Sequence, residues 1–368
     1  MKSSYDTVNT SFSDAWYSID GSDNDVVLST RVRLARNLVN FPFPSAYKGD
    51  DAERVRALIF DSFVHMENPE HYQLVCVHNL ENLGQRILIE RGVIVSDIVS
   101  SPSPGVVVRL DGKVSCTVNN IDHLRISSFV SGLDVTHGFN LAHNLDLAMQ
   151  NRLQFASSVD FGYLTTQFSD TGSGMKISLM LHLPSITHTG ILQRVFKDVL
   201  AQGFIISGFY GTGSDSGSSL GSYYQLSNSS SFFGSEEGQI ESITSIAKNI
   251  CETERKIRLE LADNKPTVVR DLVFRAIALI KYCRFLNYRE GIDALSKIKW
   301  GLNMKLISGI TDTELFSLLY RIQTAHLQYV IRSSDLNFEV DVDTDELKID
   351  RLRSLIIQES LSKIEILC

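Results

Sequence analysis

Apolar and polar residues alternate along several short segments of the chain, and apolar residues recur at helical spacing in longer ones. Alternation with period two is typical of strands, and recurrence about every three to four residues is typical of amphipathic helices. Alternation predicts strands over Val26–Arg33, Tyr72–His78, Gln85–Glu90, Gly105–Leu110, Val114–Asn119, Leu124–Val130, Lys176–Leu183 and Phe204–Tyr210. Helical spacing predicts helices over Asp51–Met66, Phe139–Gln154 and Gly190–Ala201.

A stretch rich in glycine and serine, Gly208–Gly238, separates these short elements from a helical final third. Such a composition is typical of a long binding loop or of a linker, and the sequence leaves both open. Isoleucines at helical spacing then predict a helix over Glu236–Leu261, and Pro266 opens another. We therefore expect an α+β fold, with a mostly antiparallel sheet flanked by helices over residues 1–240 and an α-helical domain over residues 241–368.

Charge and hydropathy narrow the class of protein. A net charge of −8 disfavours a general nucleic-acid binder, so no nucleic-acid partner is expected. The apolar stretch Leu272–Leu286 is interrupted by Arg275 and Lys281, and Met1–Asp6 has no apolar signal core. We therefore expect no membrane partner and a cytoplasmic location. The five cysteines form no CxxC pair, so neither a metal site nor a disulfide framework is predicted.

Two arginines spaced two residues apart are the clearest candidate chemistry. In an extended segment Arg31 and Arg33 point to the same face, and Ser29 adds a hydroxyl to that face. Forked guanidinium groups suit phosphate oxygens, which accept paired hydrogen bonds. The alternative for an isolated pair of this kind is a solvated strand face, and only the surrounding sequence favours a polyphosphate clamp.

The segment Ser29–Asn37 resembles the phosphate-binding motif of the ATP:guanidino phosphotransferases. Further segments resemble that family in order and spacing: Gln85–Arg91, Asn119–Ile126, Gly162–Thr165, Met180–Pro184, and Gly208–Gly211 followed by Tyr224–Asn228. The short length and the helical final third are similar to the bacterial protein-arginine kinase branch (McsB). The resemblance implies a guanidino-kinase-type fold that binds Mg-ATP. It also implies nucleotide-binding roles for Ser29, Arg31, Arg33, Arg86 (on a strand), Arg125 and Lys176.

The same resemblance implies partners. It indicates a homodimer that works with an McsA-like zinc-binding activator and with Clp protease components in protein quality control. The family docks phosphoarginine on its C-terminal helices, and the equivalent stretch here is Leu347–Ile356, with Lys348, Arg351 and Arg353. An ordinary amphipathic helix with Leu352, Leu355 and Ile356 inward is the favoured interpretation of that stretch.

Departures from the family pattern concentrate where the acceptor guanidinium would lie. The two adjacent glutamates of the N-E-E-D-H-L-R-I signature are replaced by Asn120 and Ile121. Phosphoryl transfer to a guanidinium needs carboxylates to hold the planar cation and take its proton. Three further positions differ from the family pattern: Gln167 stands for the cysteine of C-P-[ST]-N, Ser207 for an arginine, and Thr212 for a loop glutamate. With Asn120 and Ile121 they are here called the degenerate positions. The segment after Gln167 continues Phe168-Ser169-Asp170. Asp215 is the one candidate catalytic carboxylate left in the loop.

Three hypotheses follow from this pattern. The favoured one is a catalytically impaired kinase or pseudokinase that keeps phosphate binding, because general-base catalysis alone typically contributes about 10²–10⁴-fold. The second is an active protein-arginine kinase that uses Asp215. The third, kinase activity on a small guanidino metabolite, needs the same missing carboxylates. Asp122 and His123 are interpreted as a structural hydrogen-bonded pair at a strand turn.

Overall fold

The structure is a computed structural model that describes residues 15–211, 219–232 and 234–367. Its strands are short and numerous, as the alternation predicts. They are β1 (Val27–Arg36), β2 (Tyr72–Cys76), β3 (Gly105–Arg109), β4 (Val114–Val118), β5 (Leu124–Ser131), β6 (Ser157–Ser158), β7 (Gly162–Tyr163), β8 (Met175–His182), β9 (Phe204–Gly208), β10 (Tyr223–Asn228), β11 (Ile307–Ser308) and β12 (Glu365–Ile366).

Helices occur along the whole described chain and make up most of its final third. They are α1 (Asp51–Val64), α2 (Asn82–Glu90), α3 (Val135–Gln150), α4 (Pro184–His188), α5 (Leu192–Ala201), α6 (Glu236–Asn264), α7 (Pro266–Tyr282), α8 (Tyr288–Asn303), α9 (Asp312–Arg321), α10 (Thr324–Ser333) and α11 (Asp345–Ser360). Within the described ranges, no helix combines the length and the apolar character needed to cross a bilayer.

One antiparallel sheet of eight strands carries the first part of the molecule, in the order β2-β3-β4-β5-β1-β8-β10-β9. β1 lies at its centre and pairs with β5 on one side and β8 on the other. The predicted α+β fold, with a mostly antiparallel sheet flanked by helices and followed by a helical region, is confirmed.

The two faces of β1 differ in character. Val32 and Leu34 are fully buried in the main core beneath α3, whereas Arg31 and Arg33 on the opposite face are only partly buried. Gly138 lets α3 approach closely, because a Cβ built there would lie 3.2 Å from a Val32 methyl carbon. The apolar face therefore anchors the strand beneath α3 and leaves the two arginines on the opposite side of the sheet from that helix.

The prediction of a strand over Gln85–Glu90 is wrong, since this segment lies in α2. Ile87 and Ile89 alternate with other residues as they would in a strand, but Leu83 and Ile87 are also four residues apart. Leu88 and Ile89 pack against a small separate core that includes Val77. Tertiary packing therefore decides between two periodicities that this short segment satisfies equally.

Helix α6 joins the sheet to the helices that follow. Ile243 and Ile250 are buried in the same core that the sheet residues form. Arg255 and Arg258 of α6 both bind Asp25, with nitrogen–oxygen distances of 3.0 and 2.9 Å, just before β1 begins. The predicted domain boundary at 240 falls in the first turns of α6 and stays a prediction.

Candidate active site

The three central strands bring the predicted basic residues together on one face. In the register of the sheet, Arg33 lies opposite Ser127 of β5 and opposite Lys176 of β8. Residues directly opposite each other share a face of the sheet, and so do residues two apart on one strand. By this rule a single surface, here called the basic face, carries five of the predicted nucleotide-binding residues: Ser29, Arg31, Arg33, Arg125 and Lys176.

Two carboxylates lie among these cations. The Nε atom of Arg125 donates to Asp122 at 2.8 Å, and its Nη2 atom lies 3.4 Å from Asp170. The Nη2 atom of Arg33 lies 3.6 Å from the same Asp170 oxygen. Arg125, Asp122 and Asp170 are all buried. The basic face therefore keeps an excess of positive charge that the protein only partly neutralises.

Crowding and burial disfavour the charged forms of these cations. Burial, followed by the charges of Arg125 and Arg31, lowers the pKa of Arg33 to about 9. Burial and Arg125 lower the pKa of Arg31 to about 10. Burial also lowers the pKa of Lys176 below its usual value, and Asp170 opposes that shift. With these pKa values Arg31 and Arg33 remain protonated at neutral pH, and a bound anion would relieve the repulsion among the cations.

Arg31 has hydrogen-bonding capacity left over. Its Nη2 atom donates to Ser127 Oγ at 3.3 Å, and its guanidinium lies over the Phe129 ring at 5.2 Å. Its Nε atom is buried without a hydrogen-bond partner among the described residues. A buried donor of this kind is costly unless a ligand or water satisfies it.

Arg31 and Ser29 line a cavity of about 260 Å³. Aromatic residues from distant parts of the chain form one part of its wall: Trp16, Phe129, Phe209, Tyr210, Tyr288 and Tyr320. Met180, Gln225 and Gln323 also line it, and so do the charged residues Glu90 and Arg91 at the end of α2. Aromatic walls beside a guanidinium suit a ligand with a flat ring and an anionic tail. The sequence did not indicate Tyr288, Tyr320 or Gln323, because only the packing of α8, α9 and the residues that precede α10 brings them here.

The structure does not place Arg86 on the basic face. Arg86 is exposed on α2, and its Nη1 atom donates to Gln328 of α10 at 3.2 Å. Glu90, at the end of α2, accepts hydrogen bonds from the backbone N–H groups of Ala325 (2.7 Å) and His326 (3.1 Å). This carboxylate caps the N-terminus of α10 and fixes α2 against it. A nucleotide-binding role for Arg86 therefore stays a prediction without geometric support.

The turn between β4 and β5, Asn119–His123, holds the two degenerate positions Asn120 and Ile121. Asp122 beside them is buried and accepts hydrogen bonds from Asn37 Nδ2 (2.9 Å), the Thr166 N–H (2.8 Å) and Arg125 (2.8 Å). Burial alone would raise the pKa of Asp122, but Arg125 and the other donors hold it below its usual value. This carboxylate therefore stabilises the turn, and its lowered pKa makes it a poor base.

Both ring nitrogens of His123 also form hydrogen bonds within the protein. Its Nδ1 accepts from the Leu38 N–H at 2.8 Å, and its Nε2 donates to the Pro42 carbonyl at 2.9 Å. Burial lowers its pKa. Asn37 bridges the two residues, since it donates to Asp122 and accepts from the His123 N–H at 2.9 Å. The predicted structural role of Asp122 and His123 is confirmed, although they are joined through Asn37 and not directly.

The remaining degenerate positions are dispersed. Gln167 is exposed, and its carbonyl accepts from the Asp170 N–H at 2.9 Å, which forms the short turn that points Asp170 inward. Ser207 is exposed on β9. Thr212 and Asp215 lie outside the described residues. The sequence showed an acidic residue at position 170 but gave no reason to place it among the arginines.

The stretch Leu347–Ile356 lies within α11, and two of its basic residues, Arg351 and Arg353, bind other groups of the protein, although Arg351 Nη1 has no partner among the described residues. Arg353 is buried and donates to the carbonyls of Ile322 (3.0 Å) and Leu286 (2.8 Å). Arg351 donates to Glu339 at 2.7 Å. Leu352 faces the core as predicted, but the inward position predicted for Leu355 is wrong, since that side chain is 41% exposed. These contacts support the interpretation as a structural helix.

Comparisons with known proteins identify the family of this chain. The family model for the ATP:guanido phosphotransferase C-terminal catalytic domain matches residues 54–257. The model for the protein-arginine kinase McsB C-terminal domain matches residues 266–366. The chain therefore belongs to the ATP:guanido phosphotransferase family, in its protein-arginine kinase branch.

Individual relatives show how far the similarity extends. A protein-arginine kinase of Syntrophomonas wolfei is 33% identical over 344 residues, covering 92% of each chain. One from Pelotomaculum thermopropionicum is 33% identical over 329 residues, covering 88% of this chain and 90% of the relative. A crystal structure of lombricine kinase has a TM-score of 0.57 at 16% identity, covering 68% of this chain and 71% of that one. That structural likeness concerns the fold alone.

Proposed function

We propose that this chain binds Mg-ATP through the basic face and transfers its phosphoryl group to protein arginine slowly or not at all, acting as a regulatory protein in protein quality control. The observation that carries the proposal is a contrast within one site. Arg31 keeps a buried donor without a partner in the part of the chain that the structure describes, whereas Asp122, the carboxylate beside Asn120 and Ile121, accepts hydrogen bonds from three protein groups.

The described residues fit the phosphate end of a nucleotide. Arg31, Arg33, Arg125 and Lys176 offer donors to a polyphosphate, and the aromatic walls of the cavity offer contact to a base. Mg-ATP, when bound, would supply the transferable γ-phosphoryl group and a divalent cation that offsets phosphate charge. This chain's own groups would orient the phosphates and balance their charge.

The residues expected beside the acceptor guanidinium support a proposal of low phosphoryl-transfer activity. A neutral guanidine is the nucleophile in such a transfer, so a base must take a proton from a group whose pKa is ordinarily above 12. Asn120 is not basic, and Ile121 can neither accept a proton nor pair with a cation. The Asp122 carboxylate is not available as a base, because it already accepts hydrogen bonds from Arg125, Asn37 and the Thr166 N–H.

An active kinase that uses Asp215 is the second candidate. One observation favours it: Gly211 and Leu220, which flank Asp215 in the sequence, lie close together, since the Gly211 carbonyl accepts from the Leu220 N–H at 3.3 Å. Gly211 directly follows Tyr210, which lines the cavity. Asp215 is therefore the candidate that we propose for replacing the missing glutamates.

A paired assay separates the two candidates. Calorimetric titration with Mg-ATP measures binding, and detection of phosphoarginine on an unfolded model protein measures transfer. We expect binding without transfer in the natural sequence. Transfer that disappears in Asp215→Asn, with binding retained, would overturn the proposal in favour of the active kinase. Absence of Mg-ATP binding would overturn both.

The family relation also supports proposals about partners. We propose a homodimer that associates with an McsA-like zinc-binding activator and with Clp protease components. Sedimentation of the purified chain tests the first, with a dimer mass expected. Co-purification with each candidate partner, in the presence and absence of Mg-ATP, tests the others. A monomer that binds none of them would contradict this part of the proposal.

A further inference from the structure

Asp170 is an acidic side chain placed among cations that the proposed function assigns to phosphate. It is 3% exposed, and one of its oxygens lies 3.6 Å from Arg33 and 3.4 Å from Arg125. The other oxygen accepts from Ser169 Oγ at 3.4 Å. A carboxylate in this position offers two guanidinium groups the same kind of oxygen acceptor that a phosphate would offer.

Asp170 lowers the net positive charge of the basic face. Four cations, Arg31, Arg33, Arg125 and Lys176, face two carboxylates, Asp122 and Asp170. Asp122 is held by Asn37 and the Thr166 amide as well as by Arg125, so it belongs to the turn. Asp170 has no comparable structural hydrogen bonds among the described residues, and its charge acts mainly on Arg33, Arg125 and Lys176.

We propose that Asp170 is an internal anion that competes with the phosphates of a nucleotide for Arg33 and Arg125, and so sets the nucleotide affinity of this protein. The proposal rests on the proposed function, because it assigns those arginines to phosphate. A bound polyphosphate must either displace the carboxylate or lie beside it. Both cost binding free energy, the first through the lost ion pairs and the second through repulsion between like charges.

The residue type supports this role. Asp170 stands at the asparagine of the C-P-[ST]-N pattern, where an amide would leave the cations free for the ligand. The turn that carries it, Phe168–Asp170, is short, and Phe168 is 73% exposed. A short, largely exposed turn can move its last side chain at lower cost than a strand could.

Replacing Asp170 by asparagine tests the proposal, since the amide keeps the shape and removes the charge. The probes are ATP without magnesium and inorganic pyrophosphate, titrated by calorimetry at fixed ionic strength. We expect both to bind about tenfold more tightly to Asp170→Asn, as the loss of one competing charge-assisted pair implies. The gain is expected to be smaller for Mg-ATP, because the cation offsets part of the phosphate charge.

Two further variants make the test specific. Asp160→Asn removes an exposed carboxylate between β6 and β7, changes the net charge equally, and is expected to leave both affinities unchanged. Asp170→Ser removes the charge with a different shape, and we expect the same direction of change. A merely structural role for Asp170 would give weaker binding in both Asp170 variants, because a disturbed site does not bind more tightly.

Each outcome decides the matter. Tighter binding in both Asp170 variants supports the proposal, and if only one of them folds, that one decides. Equal or weaker binding, with the natural sequence binding normally, overturns it and leaves the proposed function intact. Loss of affinity confined to Mg-ATP would make Asp170 a metal-holding group and would also overturn it. No binding by any variant would overturn this inference together with the proposed function.

Discussion

The basic face and the Asn119–His123 turn adjoin each other on one sheet, yet the protein satisfies their polar groups to different degrees. On the basic face, Arg31 keeps a buried Nε without a partner among the described residues, and repulsion and burial lower the pKa values of Arg31 and Arg33. In the turn, Asp122 and His123 have protein partners on both sides. The first arrangement suits a ligand, and the second suits a scaffold.

Under the proposed function, this difference would explain how phosphate binding can be kept while phosphoryl transfer is impaired. Arg125 belongs to both regions, since it faces the cations and is anchored by Asp122. That anchor does not depend on the side chains at positions 120 and 121, because Asn37, the Thr166 N–H and Arg125 supply the hydrogen bonds to the Asp122 carboxylate.

The largest expected effect is on stability, at Asp122. The change Asp122→Asn leaves Arg125 with Asp170 as its remaining carboxylate and weakens the hydrogen bonds that hold the turn. We expect a loss of about 3 kcal/mol in the free energy of unfolding, as for other broken buried ion pairs. Urea denaturation measures it, with Asn120→Ala as the control. A loss below that of the control would show that the turn is not a scaffold.

The next effect is on affinity, at Arg31. The change Arg31→Ala removes a guanidinium that faces the cavity, and we expect Mg-ATP to bind about 10- to 100-fold more weakly, or about 1.5–3 kcal/mol. Calorimetry measures the affinity, and thermal unfolding checks that the variant is folded. Unchanged affinity in a folded variant would mean that the unsatisfied donor of the basic face does not meet a phosphate.

A pH titration distinguishes the basic face from buried imidazoles, which are His123 in the turn and His182 at the end of β8. Burial lowers the pKa of His123 and lowers that of His182 well below its usual value. A base with a lower pKa when folded takes up a proton on unfolding, so its contribution to stability is present above about pH 6.5 and is lost as the pH falls below it. The basic face keeps its charge there, because the arginine pKa values are near 9 and 10.

Between pH 7.5 and 5.5 we therefore expect the stability to fall by up to about 1.4 kcal/mol per imidazole for each pH unit below 6.5. Thermal unfolding at several pH values measures the slope. His182→Gln is expected to flatten it, and His137→Gln, at an exposed position, is expected to leave it unchanged. Equal slopes in all three proteins would show that buried imidazoles do not set this dependence.

The smallest expected effect is at Arg86. Because Arg86 donates to Gln328 and is not on the basic face, Arg86→Ala is expected to change Mg-ATP affinity less than about twofold, within the usual range for surface changes. The same titration measures it beside Arg31→Ala. A loss as large as that of Arg31→Ala would restore the role implied by the family resemblance and would require α2 to move.

Much of the fold could be predicted from the sequence because the local patterns were unambiguous. The alternation in Val26–Arg33 and the isoleucines of Glu236–Leu261 each fit one periodicity, and the structure has a strand and a helix there. The segment around Ile87 and Ile89 fits two, and contacts distant in sequence decided it. One of those contacts is Glu90 capping α10, which no local pattern could show.

The residues of the candidate site also fall into two groups, those predictable from local spacing and those placed by distant contacts. Arg31 and Arg33 share a face by the geometry of any strand, so their arrangement could be predicted from spacing alone. The position of Asp170 depends on a turn, and the cavity walls at Tyr288 and Tyr320 depend on how helices pack. Residues of that kind become visible only when the chain is folded.

The cavity has walls from the sheet and from the helical region that follows it, since Ser29 and Gln225 come from the sheet while Tyr288 and Tyr320 come from the helices. A ligand held there would touch both parts at once. Its binding free energy would then depend on how tightly the helices dock on the sheet, and by thermodynamic reciprocity the ligand would tighten that docking to the same extent. The affinity of a partner that binds the outer helices would therefore change when the cavity is occupied, without contact between the partner and the ligand.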